Sequence, residues 1–109
     1  MREKIHSYLG FAKRSGNLIS GYNSCLYCIK RGQAQLILIT EDLSDNTKKK
    51  FLSVAESAGV KLRVNGTIDT MQEMTGEIGR GIYAITDENL AKAILSEIDG
   101  SGQSGKEWE

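Results

Sequence analysis

Three stretches of the chain carry residue types that could do chemistry. Cys25-Leu26-Tyr27-Cys28 is a CxxC, the spacing of a redox dithiol or of half a zinc site. Glu41-Asp42 is a pair of adjacent carboxylates of the kind that hold magnesium when they follow a central strand. Gly21-Tyr22-Asn23 sets a glycine and a polar residue where a helix begins, which leaves backbone N–H groups aimed outward, ready for a phosphate or a base edge.

Each has a plainer alternative. A structural zinc site needs four ligands, and beyond the two cysteines the chain offers a single histidine, His6. A dithiol enzyme sets its cysteines at a helix N-terminus just after a strand. Here they lie inside the apolar stripe of Cys25, Leu26, Cys28 and Ile29, so they read as small buried hydrophobes. Glu41 and Asp42 read as a turn before a helix, whose N-terminus acidic groups stabilise. Taken alone, Gly21 is an ordinary helix start. The chain has no glycine-rich phosphate loop and no nucleophile elbow, so a hydrolase or nucleotide enzyme lacks its usual parts.

The elements that must position these residues follow from periodicity. Ile5, Tyr8, Leu9 and Ala12 recur at helical spacing, and Gly16 ends that helix. Leu18 to Ser20 is a short extended piece, and the cysteine helix stops at Gly32. Leu36 to Ile39 is apolar on both faces, as in a central strand covered by helices on two sides. Ser44 caps a third helix, with Phe51, Val54, Ala55 and Ala58 inward, Lys48 to Lys50 outward and Gly59 at its end. A strand at Lys61 to Val64, a short helix from Thr67 to about Met74, a loop over Thr75 to Gly81 and a strand at Ile82 to Thr86 come next. Asp87 then caps a last helix with Leu90, Ala91, Ile94 and Ile98 inward. Strands and helices in alternation predict an α/β fold with helices on both faces of the sheet.

At 109 residues and 39% apolar content the chain is one domain with one core. That domain is expected over residues 1–98, with DGSGQSGKEWE at 99–109 a mobile tail holding the one tryptophan, Trp108. No apolar run approaches the roughly 18 residues of a membrane-spanning helix, which predicts a soluble, cytoplasmic protein with no membrane partner. The 14 basic and 14 acidic residues cancel, which argues against coating nucleic acid by charge alone. Their distribution is uneven: residues 1 to 50 sum to +5 and residues 51 to 109 to −5. One half can face a polyanion while the other keeps the molecule neutral.

The combination of SGNLISGYNSCLYCIKRGQAQLILITEDLSDNTKKK, VNGT and TGEIGRGIYAITD resembles the superfamily of kink-turn-binding ribosomal proteins, the seven-Ae, thirty-e and twelve-e types, and within it the short stand-alone bacterial members. Three pieces carry the resemblance: Gly21-x-Asn23, the run from Arg31 to Asp42, and the segment from Gly76 to Asp87. The resemblance covers roughly residues 3 to 98. It implies a three-layer α-β-α sandwich with a small mixed four-stranded sheet, no catalysis, no cofactor or small-molecule substrate, and binding to a sharply bent RNA connected with the ribosome or translation, ribosomal RNA included. In such proteins the start of the second helix enters a widened groove beside sheared G·A pairs, which Gly21 and Asn23 match. The loop before the last strand covers a flipped-out base, and Ile78, Gly79 and Arg80 fall there.

Ser24 and Tyr27 stand where strong binders of the superfamily carry a glutamate and a lysine, and Asn17 and Ser20 stand where basic residues are expected. The expected RNA-binding set is Gly21, Asn23, Ser24, Tyr27, Lys30, Arg31, Glu41, Ile78, Gly79 and Arg80, with Lys13 and Arg14 as further electrostatic helpers. A protein-interaction module that kept the fold but lost kink-turn recognition is the alternative. A CxxC redox enzyme is a third reading.

Overall fold

The computed structural model describes residues 2–104, with side chains over residues 4–100. Its order is α1 (Arg2–Arg14), β1 (Leu18–Ser20), α2 (Tyr22–Lys30), β2 (Leu36–Ile39), α3 (Asp45–Ala58), β3 (Lys61–Val64), α4 (Ile68–Thr75), β4 (Ile82–Ile85) and α5 (Glu88–Ser104). The caps that sequence predicts at Ser44 and Asp87 are made, and Thr67 adds a third. The Thr47 N–H donates to Ser44 Oγ at 3.2 Å, the Leu90 N–H donates to the Asp87 carboxylate at 2.8 Å, and Thr67 closes a capping box with Thr70.

The sheet order is β1-β4-β2-β3, so β4, last in sequence, lies beside β2 in the middle. It runs antiparallel to both neighbours, while β2 and β3 are parallel, which makes the sheet mixed. Alternation along the two middle strands splits the core. Leu36, Leu38, Tyr83 and Ile85 pack against α1, α4 and α5, and Ile37, Ile39, Ile82 and Ala84 pack against α2 and α3. All eight are buried, which is why LILI and IYAI read as unbroken apolar runs. The result is the three-layer α-β-α sandwich.

Two expectations are corrected. Ala58, expected inward, is exposed in the last turn of α3, where the chain turns off through left-handed Gly59. Residues 99–104, expected to begin a mobile tail, continue α5. Arg63 on β3 holds the Asp99 carboxylate in a two-pronged grip, Nε to Oδ1 at 2.8 Å and Nη2 to Oδ2 at 3.0 Å, which offsets part of the poor helix propensity of the glycines there. Trp108 and the rest of 105–109 lie outside the described residues.

Candidate nucleic-acid interface

The strand register gathers several loops at one end of the sheet. Ser20 pairs with Tyr83, and Ile39 pairs with Ile82 on one side and Val64 on the other, so the segments after β1, β2 and β3 and before β4 meet there. Backbone bonds knit them: Gly21 N–H to Ile82 O at 2.9 Å, Thr40 N–H to Gly81 O at 3.0 Å, Glu41 N–H to Gly66 O at 2.9 Å and Asn65 N–H to Ile39 O at 2.9 Å. Gly81 is needed for this approach, because a Cβ on it would fall 2.6 Å from Leu43 Cδ2 and 2.8 Å from Thr40 Oγ1.

At the centre of this end is the start of α2. No side chain caps it, so its first N–H groups keep their donors for an external acceptor. Gly21 is buried and has φ 106° and ψ 155°, a conformation open to glycine almost alone. A Cβ there would sit 2.9 Å from Arg80 Nη1, so the guanidinium lies directly over the helix start. Beside it Ile78 is 77% exposed.

The loop that presents Ile78 and Arg80 is tied down. The carboxylate of Glu77 accepts from Lys13 Nζ on α1 and, at 2.8 Å, from Ser20 Oγ on β1. These two donors, Lys13 first, hold the Glu77 carboxyl below its ordinary range. Gly79 N–H donates to Gln72 Oε1 at 3.1 Å, and the Tyr83 hydroxyl donates to Arg80 O at 3.0 Å. Within this loop Gly76 and Gly79 have positive φ, whereas Gly81 serves the close packing described above.

The sequence profile of the ribosomal protein L7Ae/L30e/S12e/Gadd45 family matches residues 3–92. The chain belongs to this family. It is 30% identical over 91 residues to the RNA-binding protein YlxQ of Bacillus subtilis, covering 84% of this chain and 91% of that protein. It is also 30% identical over 92 residues to the large ribosomal subunit protein eL8 of Haloquadratum walsbyi, covering 83% of this chain and 77% of that one. A solved structure of a Bacillus halodurans protein of unknown function is similar with a TM-score of 0.85 and 26% identity, over 88% of this chain and 97% of that one.

Within this L7Ae/L30e/S12e/Gadd45 member the predicted residues fall into two groups. Gly21, Asn23, Glu41, Ile78, Gly79 and Arg80 share the loop end of the sheet. Ser24, Tyr27, Lys30 and Arg31 run down the exposed face of α2, and Lys30 is about 10 Å along the axis from Asn23 at 1.5 Å per residue. Lys30 and Arg31 stand at the C-terminal end of α2, away from the Gly21 start. Lys13 is neutralised by Glu77, which removes it from the free cations. Asp42 accepts the Ile68 N–H with both oxygens at 3.2 Å, so it caps α4 across the sheet end rather than the α3 that follows it in sequence.

The cysteines are in the core. Cys25 is fully buried, Cys28 is 4% exposed, and both are free thiols. Burial, reinforced by the neighbouring Cys28, pushes the Cys25 thiol up to about 12, the reverse of what a nucleophilic thiolate needs. Among the described residues no cluster of His, Cys, Asp and Glu could hold a metal, and no helix is long and apolar enough to cross a membrane.

Sequence reasoning missed two contributions. Tyr22 meets Phe51 edge to face at 5.1 Å, which brings the α3 segment carrying Lys48, Lys49 and Lys50 beside the start of α2. The triple lysine reads as ordinary solvated charge until the helix that α3 packs against is known. Glu77 was the other, and its only signal in sequence is its place among the glycines of the loop.

Proposed function

We propose that this chain is a non-catalytic RNA-binding protein that grips a sharply bent or bulged RNA, of the kink-turn kind, with the loop end of its sheet. The observation that carries this reading is the Arg80 guanidinium lying over Gly21 at the uncapped start of α2. It sets a cation, free N–H donors and the exposed Ile78 within one small area. A phosphate suits the first two, and an extruded base needs an apolar surface such as the third. Asn23, exposed in the first turn of α2, reads a base edge, while Glu41 and the α3 lysines border the site. The names of the relatives, an RNA-binding protein and a ribosomal protein, support the same class of partner and a role at the ribosome or in translation.

The test titrates the parent and three variants against a synthetic kink-turn hairpin at several salt concentrations. Asn23→Ala should cost about 1 to 3 kcal/mol of binding, and Arg80→Ala should lower the salt slope by about one. Ile78→Asp should weaken binding at every salt concentration. Curves unchanged in all three variants would remove RNA from this end of the sheet and leave the protein-interaction alternative.

A further inference from the structure

The face of α2 below the loop-end site carries Tyr27 and Arg31 of the expected RNA-binding set, to which that site assigns no role. Tyr27 projects from the middle of the helix with 60% of its surface exposed. Arg31, one turn on, lies over its ring with the guanidinium carbon 5.3 Å from the centroid, and Arg31 Nη1 donates to the Tyr27 hydroxyl at 2.8 Å. The two contacts act together. The hydrogen bond fixes the guanidinium at the hydroxyl edge, and the cation–π contact occupies one face of the ring. The ring is thus held in one orientation while its large exposed surface remains open to solvent.

We infer that Tyr27, backed by Arg31, is a stacking platform for one unpaired nucleobase of the bound RNA. This rests on the RNA-binding reading and names a second contact in it. Three features select such an occupant. A flat aromatic ring accepts any base by its π-face, without requiring a hydrogen-bond pattern. The helix from Tyr22 to Lys30 contains no carboxylate, and Lys30 and Arg31 add positive charge beside the ring, complementary to a phosphate backbone. Asn23 lies one turn upstream of Tyr27 on the same face, so a strand leaving the helix start along α2 passes over the ring. A backbone lysine contact at position 27 would bind any strand through its phosphate, whereas a tyrosine there needs an unstacked base. The platform therefore favours a target with an unpaired nucleotide on that side.

The experiment uses the full chain and a synthetic kink-turn hairpin carrying a fluorescent purine analogue at each unpaired position in turn. Tyr27→Phe keeps the ring and Tyr27→Leu removes it; both changes are at an exposed site, and melting curves confirm the fold. The parent and Tyr27→Phe should quench the analogue at one position and bind alike. Tyr27→Leu should lose that quenching and bind at least about fivefold more weakly. Arg80→Ala separates the two proposals. If Arg80→Ala weakens binding while Tyr27→Leu matches the parent in affinity and quenching, the platform is wrong and the loop-end site stands. If the parent does not bind the hairpin, or no variant changes binding, the platform falls together with the RNA reading.

Discussion

At Gly21 a single missing side chain serves two purposes. Its φ of 106° with ψ of 155° lets the chain leave β1 and start α2 at once, and its bare Cα leaves room for the Arg80 guanidinium. Gly21→Ala confronts both, since the new methyl is strained by the backbone and stands 2.9 Å from Arg80 Nη1. A residue forced into such a conformation costs about 1 to 3 kcal/mol. Urea unfolding should show a loss of that size, and RNA affinity should fall beyond it because Arg80 is displaced. A Gly21→Ala protein as stable as the parent would mean the turn relaxes easily. The neighbouring cysteines illustrate the opposite case, a motif whose types suggest chemistry and whose burial removes it. CxxC spacing is visible in sequence, but whether a thiol faces solvent or the carbonyls of Ile19 and Ile82, as Cys25 does, is decided by packing.

At the level of elements, the loop between α4 and β4 depends on Glu77. It bonds to α1 through Lys13 and to β1 through Ser20, so one carboxylate sets the stance of Ile78 and Arg80 over α2. Its pKa is lowered in the folded state, so its contribution is present above the ordinary carboxyl value of 4.5 and is lost as pH falls through the lower folded value. The pair is partly exposed, which limits the effect to roughly 1 kcal/mol or less. The protection factor of the Gly79 amide, its exchange rate taken relative to the intrinsic rate at the same pH, should therefore fall on acidification in the parent. Glu77→Gln should show the lower protection already at neutral pH and lose that pH dependence. Equal protection in parent and variant across the titration would show that Gln72 and Tyr83 hold the loop unaided. The elements themselves were legible: every helix and strand appears near its expected place because the spacing of apolar residues and the caps are local properties. The exception was the end of α5, whose glycine and serine content predicts a tail. A partner on β3, far away in sequence, captures Asp99 instead.

Across the whole molecule that Arg63 to Asp99 contact ties α5 to the edge strand β3. Both side chains are partly exposed, so Asp99→Ala should lower the stability to urea by no more than about 1 kcal/mol despite the two-pronged geometry. A larger loss would mean that the end of α5 folds cooperatively with the sheet. The charge map also changes on folding. The excess of positive charge in residues 1 to 50 does not become one basic side: Lys13 and Arg14 belong to the α1 layer, whereas Lys30, Arg31 and Lys48 to Lys50 belong to the α2 and α3 layer.

The sequence by itself determined the order and type of the elements, the buried strands, and through its motifs the family and the two segments proposed to form the site. These depend on residues a few positions apart, where periodicity, capping and turn chemistry act. The tertiary structure alone decided that Arg80 lies on Gly21, that Asp42 caps α4, that Lys13 is cancelled by Glu77, and that the α3 lysines stand beside Tyr22. Each of these depends on which strand lies next to which, and the sheet order sets β4, last in sequence, between β1 and β2. Whether a charge is free or a donor is capped depends on neighbours that only this packing supplies.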